Sequence, residues 1–136
     1  MKRVLLDTNI YIDWLNAGSH EALLLGPGLV RYLSAVVRLE LRAAAKTRSA
    51  RYAVDRLARA YTTGGRILAP TNEAFDRAGF VLRKLKLAGL EVRAASLVND
   101  VLIAETARTI GATVVTRNRS DFEAIQSAEA FSLEIA

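Results

Sequence analysis

The amino-acid sequence predicts an α/β fold built around a mainly parallel β-sheet. Short apolar segments of strand length alternate along the chain with longer segments in which apolar residues recur at helical spacing. Glycine, proline and helix-capping residues separate these segments. Because parallel strands need a crossover connection, and a helix is the usual one, this alternation favours an α/β sheet.

Five segments are predicted to be strands. Residues 4–6 are apolar without polar alternation, which is typical of a strand buried on both faces. Residues 131–135 alternate between apolar and polar side chains, which indicates a strand at the edge of the sheet. The other predicted strands are residues 29–33, 66–69 and 112–116.

The predicted helices begin after residues that can cap a helix, and several end at glycine. The first starts near Ile10, after three potential capping residues at 7–9. A helix over 97–110, capped by Ser96 or Asn99, ends at Gly111. The remaining predictions are a helix from the cap Ser34 to about residue 46, a helix over 49–63 that ends at Gly64, a helix from the cap Thr71 to about residue 88, and a polar loop over 91–95.

Length and composition predict one domain, residues 1–136, with a core of its own. The 136 residues are 51% hydrophobic and include no cysteine, which excludes disulfides and thiolate chemistry. No apolar run reaches the about 18 residues of a membrane helix, and Asp7 interrupts the apolar start, so we expect a cytoplasmic protein. The net charge of +5 suits either simple solubility or attraction to a polyanion such as RNA.

Polar side chains gather where two of the predicted strands end. Asp7 directly follows the first strand, and Thr116, Asn118 and Asp121 follow the fourth. In open α/β sheets, ligands bind beyond the carboxyl ends of the strands. These residues are therefore candidates for a binding or catalytic site.

Two further acids lie on predicted helices. Glu40 lies about two turns into the helix after the second strand, among apolar neighbours, and Asp100 lies in the first turn of the helix that leads into the fourth strand. If the acids converge, they repel one another and raise one another's pKa. A bound Mg²⁺ or Mn²⁺ ion, which prefers oxygen ligands, would make such crowding tolerable.

Each candidate also has a purely structural interpretation, and spacing alone leaves both interpretations open. The structural roles are an N-cap for Asp7, a favourable helix-dipole interaction for Asp100, a cap of a helix beginning at Phe122 for Asp121, an ion pair with Arg38 or Arg42 for Glu40, and turn positions for Thr116 and Asn118.

Three segments of the sequence resemble the PIN-domain ribonucleases, and among them the VapC-like toxins of bacterial and archaeal toxin–antitoxin pairs. The segments are LLDTNIYI at 5–12, residues 34–42 with Glu40, and residues 99–122 with NDVLIA and GATVVTRNRSDF. They occur in the order and spacing expected of the family and span nearly the whole chain. One departure is Val37, because family members often carry a hydroxyl residue three positions before the glutamate.

The resemblance implies a cluster of four acids. In this reading Asp7, Asp100 and Asp121 bind the Mg²⁺ or Mn²⁺ ion, and Glu40 binds a metal or orients the attacking water as its base. Four neighbours would shape the loop of the first ligand or orient the metal and its waters, namely Thr8, Asn9, Thr116 and Asn118. Apart from the resemblance, Arg117 and Arg119 lie beside the proposed site and are candidates to bind RNA phosphates, although solvated turn arginines would look the same in sequence.

The resemblance also implies an architecture, an activity and partners. The fold would be a three-layer α/β/α PIN-like domain with a five-stranded, mainly parallel sheet in the order 3-2-1-4-5. The reaction would be the hydrolysis of RNA phosphodiesters to 5′-phosphate and 3′-hydroxyl products. A cognate antitoxin protein would be the partner of the toxin, and homodimers are common in the family.

Two other functions remain open. One is a catalytically inactive PIN-like module that binds RNA. The other is an aspartyl-phosphate phosphotransfer or phosphohydrolase domain with Asp7 as nucleophile, although Asn9 stands where the haloacid dehalogenase pattern has its second aspartate. A pair of catalytic histidines is excluded, because His20, in a predicted loop, is the single histidine. Four aromatic residues are predicted to be core rather than base-stacking residues: Tyr11, Trp14, Phe75 and Phe80.

Overall fold

The fold is a single five-stranded parallel sheet with helices packed around it, in a computed structural model that describes residues 1–92 and 94–136. Arg93, which belongs to the predicted loop at 91–95, lies outside the described residues. The strand order is β3-β2-β1-β4-β5, as the resemblance implied. The strands are β1 (Lys2–Leu6), β2 (Leu29–Ser34), β3 (Ile67–Leu68), β4 (Thr113–Thr116) and β5 (Ser132–Ile135).

The first strand lies in the middle of the sheet. β1 pairs in parallel with β2 on one side and with β4 on the other, so that Leu6 lies opposite Val115. Val4, Leu5 and Leu6 are at most 1% exposed, which confirms the prediction of a strand buried on both faces. β5 lies at the edge, as its alternating sequence predicted.

Seven helices lie between the strands in the described part of the chain. They are α1 (Thr8–Ala17), α2 (Glu21–Leu25), α3 (Ala35–Ala44), α4 (Arg48–Thr63), α5 (Asn72–Leu87), α6 (Ala95–Thr109) and α7 (Arg119–Ala128). The predicted caps Ser34 and Thr71 accept backbone hydrogen bonds at the starts of α3 and α5. Gly111 follows the end of α6 at a φ of 64°, a backbone conformation that favours glycine. None of the helices in the described residues is long and apolar enough to cross a membrane.

Three helix starts differ from the prediction. α6 begins at Ala95 after Ala94, so neither Ser96 nor Asn99 caps it, and Asp100 lies in its second turn rather than its first. α7 begins at Arg119 and is capped by Asn118, so Asp121 lies inside its first turn instead of capping a later helix. His20 lies outside the helices, as predicted, but the short helix α2 that begins at Glu21 was not predicted.

The prediction of core positions for the aromatic residues is wrong for two of them. Tyr11 is fully buried, and the half-buried Trp14 packs against the core. Phe75 and Phe80 of α5 are 54% and 46% exposed. The reason is the helical period, because the face of α5 that packs inward is formed by other side chains, namely Ala74, Ala78, Val81 and Leu85.

Candidate active site

Asp7 lies at the carboxyl end of the central strand, where both its backbone and its side chain are hydrogen-bonded. Its backbone N–H donates to the carbonyl of Val115, 2.9 Å away, which continues the pairing of β1 with β4. One carboxylate oxygen accepts from the backbone N–H of Thr8 at 2.8 Å and so caps α1. The other accepts from the hydroxyl of Thr116 at 2.7 Å and from the side-chain amide of Asn9 at 3.3 Å. The predicted cap and the candidate site thus use the same side chain.

Asn118 holds two of the other acids. Its side-chain N–H₂ group donates to a carboxylate oxygen of Asp100 at 3.3 Å and to one of Asp121 at 3.1 Å. Its side-chain oxygen accepts from the backbone N–H of Asp121, and its own backbone N–H donates to the Thr116 hydroxyl at 2.9 Å. A continuous path of hydrogen bonds therefore joins Asp7 to Asp100 and Asp121 through Thr116 and Asn118.

Glu40 joins the site from α3. One of its oxygens accepts from the Thr8 hydroxyl at 2.6 Å, and the other accepts from the side-chain amide of Asn99 at 3.3 Å. Glu40 does not form the alternative ion pair with Arg42, because Arg42 lies 3.9 Å from Asp55 instead. The sequence indicated Asn99 only as a helix cap, so its contact with Glu40 was missed. Its position directly before Asp100 could have indicated that it lies at the site.

Burial and mutual repulsion define the electrostatics of the four acids. Burial, the largest cause, and the charges of Asp7, Asp121 and Glu40 all raise the pKa of Asp100, and together they bring it to about 9. Burial also raises the pKa of Asp7, with a contribution from the charge of Glu40, while the hydrogen bonds from Thr116 and Thr8 oppose the rise. The four carboxyl groups therefore belong to one electrostatic cluster, although they are distant in sequence.

The donor chemistry of this cluster fits a hard divalent cation. Within residues 1–92 and 94–136, no three His, Cys, Asp or Glu side chains already stand in a metal-binding arrangement. The four acids offer oxygen atoms, the donor type that Mg²⁺ and Mn²⁺ prefer. A cation would also favour the charged form of Asp100, which its surroundings otherwise disfavour.

The two candidate RNA-binding arginines have different surroundings. Arg119 is exposed and lies 3.3 Å from Glu123, one turn further along α7. Arg117 forms a closer ion pair with Asp13 of α1, at 2.6 Å, and its charge lowers the pKa of Asp7. Asp13 is a residue of the site's border that the sequence did not identify, because nothing in its local pattern distinguishes it from a solvated helical aspartate.

Comparison with known proteins gives both a family and structural relatives. The PIN domain family matches residues 4–127. The fold is similar to a chain of VapBC2 from Rickettsia felis bound to a DNA fragment from their promoter, with 23% identity, 98% of both chains covered and a TM-score of 0.74. It is also similar to a chain of FitAcB from Neisseria gonorrhoeae, with 26% identity, 96% of this chain and 95% of that chain covered, and a TM-score of 0.71.

A third similar structure comes from the toxin–antitoxin complex VapBC-5 of Mycobacterium tuberculosis. Its identity is 28%, with 99% of this chain and 98% of that chain covered and a TM-score of 0.62. No curated protein matches the chain at a significant level.

Proposed function

This chain belongs to the PIN-domain family, and from that premise we propose that it is a Mg²⁺- or Mn²⁺-dependent ribonuclease. The observation that supports this proposal best is the buried carboxyl group of Asp100, whose pKa is raised to about 9 beside three other acids. Strongly perturbed carboxyl groups are characteristic of functional sites. A structural role alone would not require four acids at the edge where ligands bind.

The proposed roles follow the positions of the side chains. Asp7, Asp100 and Asp121 hold the divalent ion, and Glu40 holds an ion or accepts a proton from the attacking water. Thr116 and Asn118 fix the orientation of the carboxylates through the hydrogen bonds described above. When bound, the ion would neutralise negative charge that develops on the phosphate and lower the pKa of water.

The direction of attack determines the products. Water that attacks in line with the leaving 3′ oxygen produces 5′-phosphate and 3′-hydroxyl ends. The 2′-hydroxyl takes no part in this reaction, so the preference for RNA over DNA comes from the family alone.

We also propose that the protein is the toxin of a toxin–antitoxin pair and acts on RNA in the cytoplasm. The similar structures named above include toxin–antitoxin complexes. The partner would be a cognate antitoxin that covers the acidic groove, and a homodimer of this chain is a further assembly to expect. Exposed apolar side chains such as Phe75, Phe80 and Leu87 are consistent with surfaces that a partner covers.

The test is cleavage of a labelled RNA with Mg²⁺, with Mn²⁺ and with a chelator in place of either. We expect metal-dependent cleavage that is lost in Asp7→Asn and in Asp100→Asn and retained in Asp76→Asn, which removes the charge of an exposed helical aspartate. Analysis of the product ends checks the direction of attack. Cleavage that continues unchanged in both Asp7→Asn and Asp100→Asn would contradict the proposal.

Two other outcomes would favour the alternatives. RNA binding without cleavage under any metal condition would favour an inactive binding module. An acid-labile phosphoryl group on Asp7 would favour phosphotransfer chemistry. The residue at the position of the second aspartate argues against that chemistry, because it is Asn9, which donates a hydrogen bond to Asp7.

A further inference from the structure

Arg117 is fixed at the border of the acidic cluster by contacts to α1. Its guanidinium Nε donates to one oxygen of Asp13 at 2.6 Å, and its Nη2 donates to the other at 3.2 Å. Its backbone N–H donates to the side-chain oxygen of Asn9 at 3.2 Å, directly after Thr116 at the end of β4. Two parallel hydrogen bonds hold a guanidinium in one orientation, which a single contact does not.

Asp13 is itself held by His20. The imidazole Nε2 lies 2.8 Å from the Asp13 oxygen that also contacts Arg117. His20 has a φ of 65°, and within the described residues it is the one residue other than glycine with a positive φ. This conformation is unfavourable for a side chain with a Cβ. The hydrogen bonds from His20 and Arg117 lower the pKa of Asp13, so its carboxylate stays charged beside the guanidinium.

This arrangement keeps a cation close to the acids without letting it occupy their centre. Arg117 is joined to the cluster through Asn9, which accepts from the Arg117 backbone N–H and donates its side-chain amide to Asp7. A mobile guanidinium beside several carboxylates would be drawn onto them and would compete with a metal ion. The pair with Asp13 opposes this movement.

Part of the guanidinium remains free to bind a ligand. The contacts to Asp13 use two of the five N–H groups, and the side chain is 49% exposed. The planar donor fork of arginine matches two oxygens of a phosphate group. Arg119, two residues away, differs because its side chain is 64% exposed and its guanidinium pairs with Glu123 of the same helix.

We propose that Arg117 binds a phosphate of a single-stranded nucleic acid in a subsite beside the acidic cluster, and that Asp13 and His20 are positioning residues that hold it there. The proposal rests on the proposed function, because the phosphate belongs to the substrate of the same site. It adds Asp13 and His20 to the residues that determine how the substrate binds.

Binding can be tested without cleavage. The affinity of a short labelled single-stranded RNA is measured over a series of salt concentrations with Asp100→Asn as the parent protein, so that the RNA stays intact. We expect Arg117→Ala to weaken binding on the order of tenfold and to reduce the slope of log K against log salt by about 0.7. Arg3→Ala removes the same charge at the opposite end of β1 and is the matched control.

Asp13→Asn gives the sharper test, because the proposal and simple electrostatics predict opposite signs. Removal of a negative charge should strengthen RNA binding by general attraction, as expected for the control Asp76→Asn. If Asp13 positions Arg117, Asp13→Asn weakens binding instead. In a double-mutant cycle, Asp13→Asn adds no loss to Arg117→Ala, because both changes remove the same contact.

His20→Asn provides a second variant in case Asp13→Asn fails to fold. Asparagine tolerates the left-handed backbone at position 20, and its shorter side chain loses the contact to Asp13. We expect a smaller loss of affinity than in Arg117→Ala, and none when Arg117 is already absent.

Two results would overturn the inference. One is that Arg117→Ala binds RNA with the same affinity as the control Arg3→Ala. The other result is that Asp13→Asn and His20→Asn lower the melting temperature but bind RNA no more weakly than Asp76→Asn does. The contacts of Asp13 would then only link α1 to the end of β4 structurally. If the protein with all four acids does not cleave RNA, the nuclease proposal fails, while loss of binding in these variants still supports the subsite.

Discussion

At position 100 a carboxyl group is buried beside three other acids, and its pKa is raised from 3.8 to about 9. The folded protein therefore holds a proton that the unfolded chain releases at a much lower pH. Between these two values the unfolded state binds fewer protons, so the contribution of Asp100 to stability falls as the pH rises from about 4 towards 9.

Asp100→Asn is therefore expected to stabilise the metal-free protein while abolishing cleavage. Asparagine fills nearly the same volume and has no charge to bury, so we expect the free energy of unfolding at pH 8 to increase by about 1–2 kcal/mol. Urea denaturation at pH 5 and pH 8 measures this, and the gain should be larger at pH 8. A variant less stable than the parent at pH 8 would show that the carboxyl group makes a net favourable contribution.

Individual residues also show what the sequence could reveal at this scale. The four acids and the roles of Thr116 and Asn118 as their neighbours were predictable, because each follows a strand or belongs to a recognisable motif. Asp13 and His20 were not assigned to the site, because their contacts join positions that only the tertiary structure brings together. The Asp13 and His20 contact even depends on a backbone conformation that histidine seldom adopts.

Between elements, a second pair of buried carboxyl groups joins α6 to the residue that follows α7. Burial, the largest cause, and the hydrogen bond and charge of Glu129 together raise the pKa of Glu105 to about 7. Burial also disfavours the charged form of Glu129, but hydrogen bonds with Arg77 and Glu105 outweigh this and lower its pKa. Arg77 of α5 and Arg108 of α6 both face Glu129. The simplest state at neutral pH has one proton shared by the two carboxyl groups.

This pair predicts a pH dependence separate from that of the candidate site. The folded-state pKa of Glu105 lies above its unfolded value of 4.5, so its contribution to stability falls as the pH rises from 4.5 to about 7. Glu105→Gln in the Asp100→Asn background should remove this fall from the curve of unfolding free energy against pH. The same slope in both proteins would mean that Glu105 is not the titrating group.

Helix caps offer a prediction that links an element to the site. Ser34 is fully buried, caps α3, and so fixes the start of the helix that carries Glu40. Ser34→Ala should lower the free energy of unfolding by about 1 kcal/mol and also reduce cleavage. The control is Thr47→Ala, which removes the cap of α4 and should lower stability without changing cleavage. Equal cleavage by the two variants would show that the cap of α3 does not affect the candidate site.

The strands were easier to predict than the helix starts. All five predicted strands form, because apolar runs between turn residues leave few alternatives. The start of α6 was missed because Ala94 precedes it and offers no capping side chain. Phe75 and Phe80 were placed wrongly because large apolar side chains were assumed to be buried, although they lie beside the inward stripe of α5.

For the molecule as a whole, metal binding should stabilise the fold. A Mn²⁺ concentration about 100 times its Kd should raise the free energy of unfolding by about 2.7 kcal/mol, because the unfolded chain does not assemble the site. The increase should disappear in Asp7→Asn and persist in Glu105→Gln, which lies outside the cluster. Thermal unfolding with and without Mn²⁺ measures the difference, and an equal shift in Asp7→Asn would indicate binding elsewhere.

The central place of β1 determines when the site can form during synthesis. Asp7 directly follows β1, but the neighbouring strand β4, which ends at Thr116 and precedes Asn118, is made more than a hundred residues later. A nascent chain therefore carries an unpaired edge on β1 and an incomplete set of acids until α7 has left the ribosome. The candidate site is consequently incomplete on the growing chain until Asp121 in α7 has emerged from the ribosome.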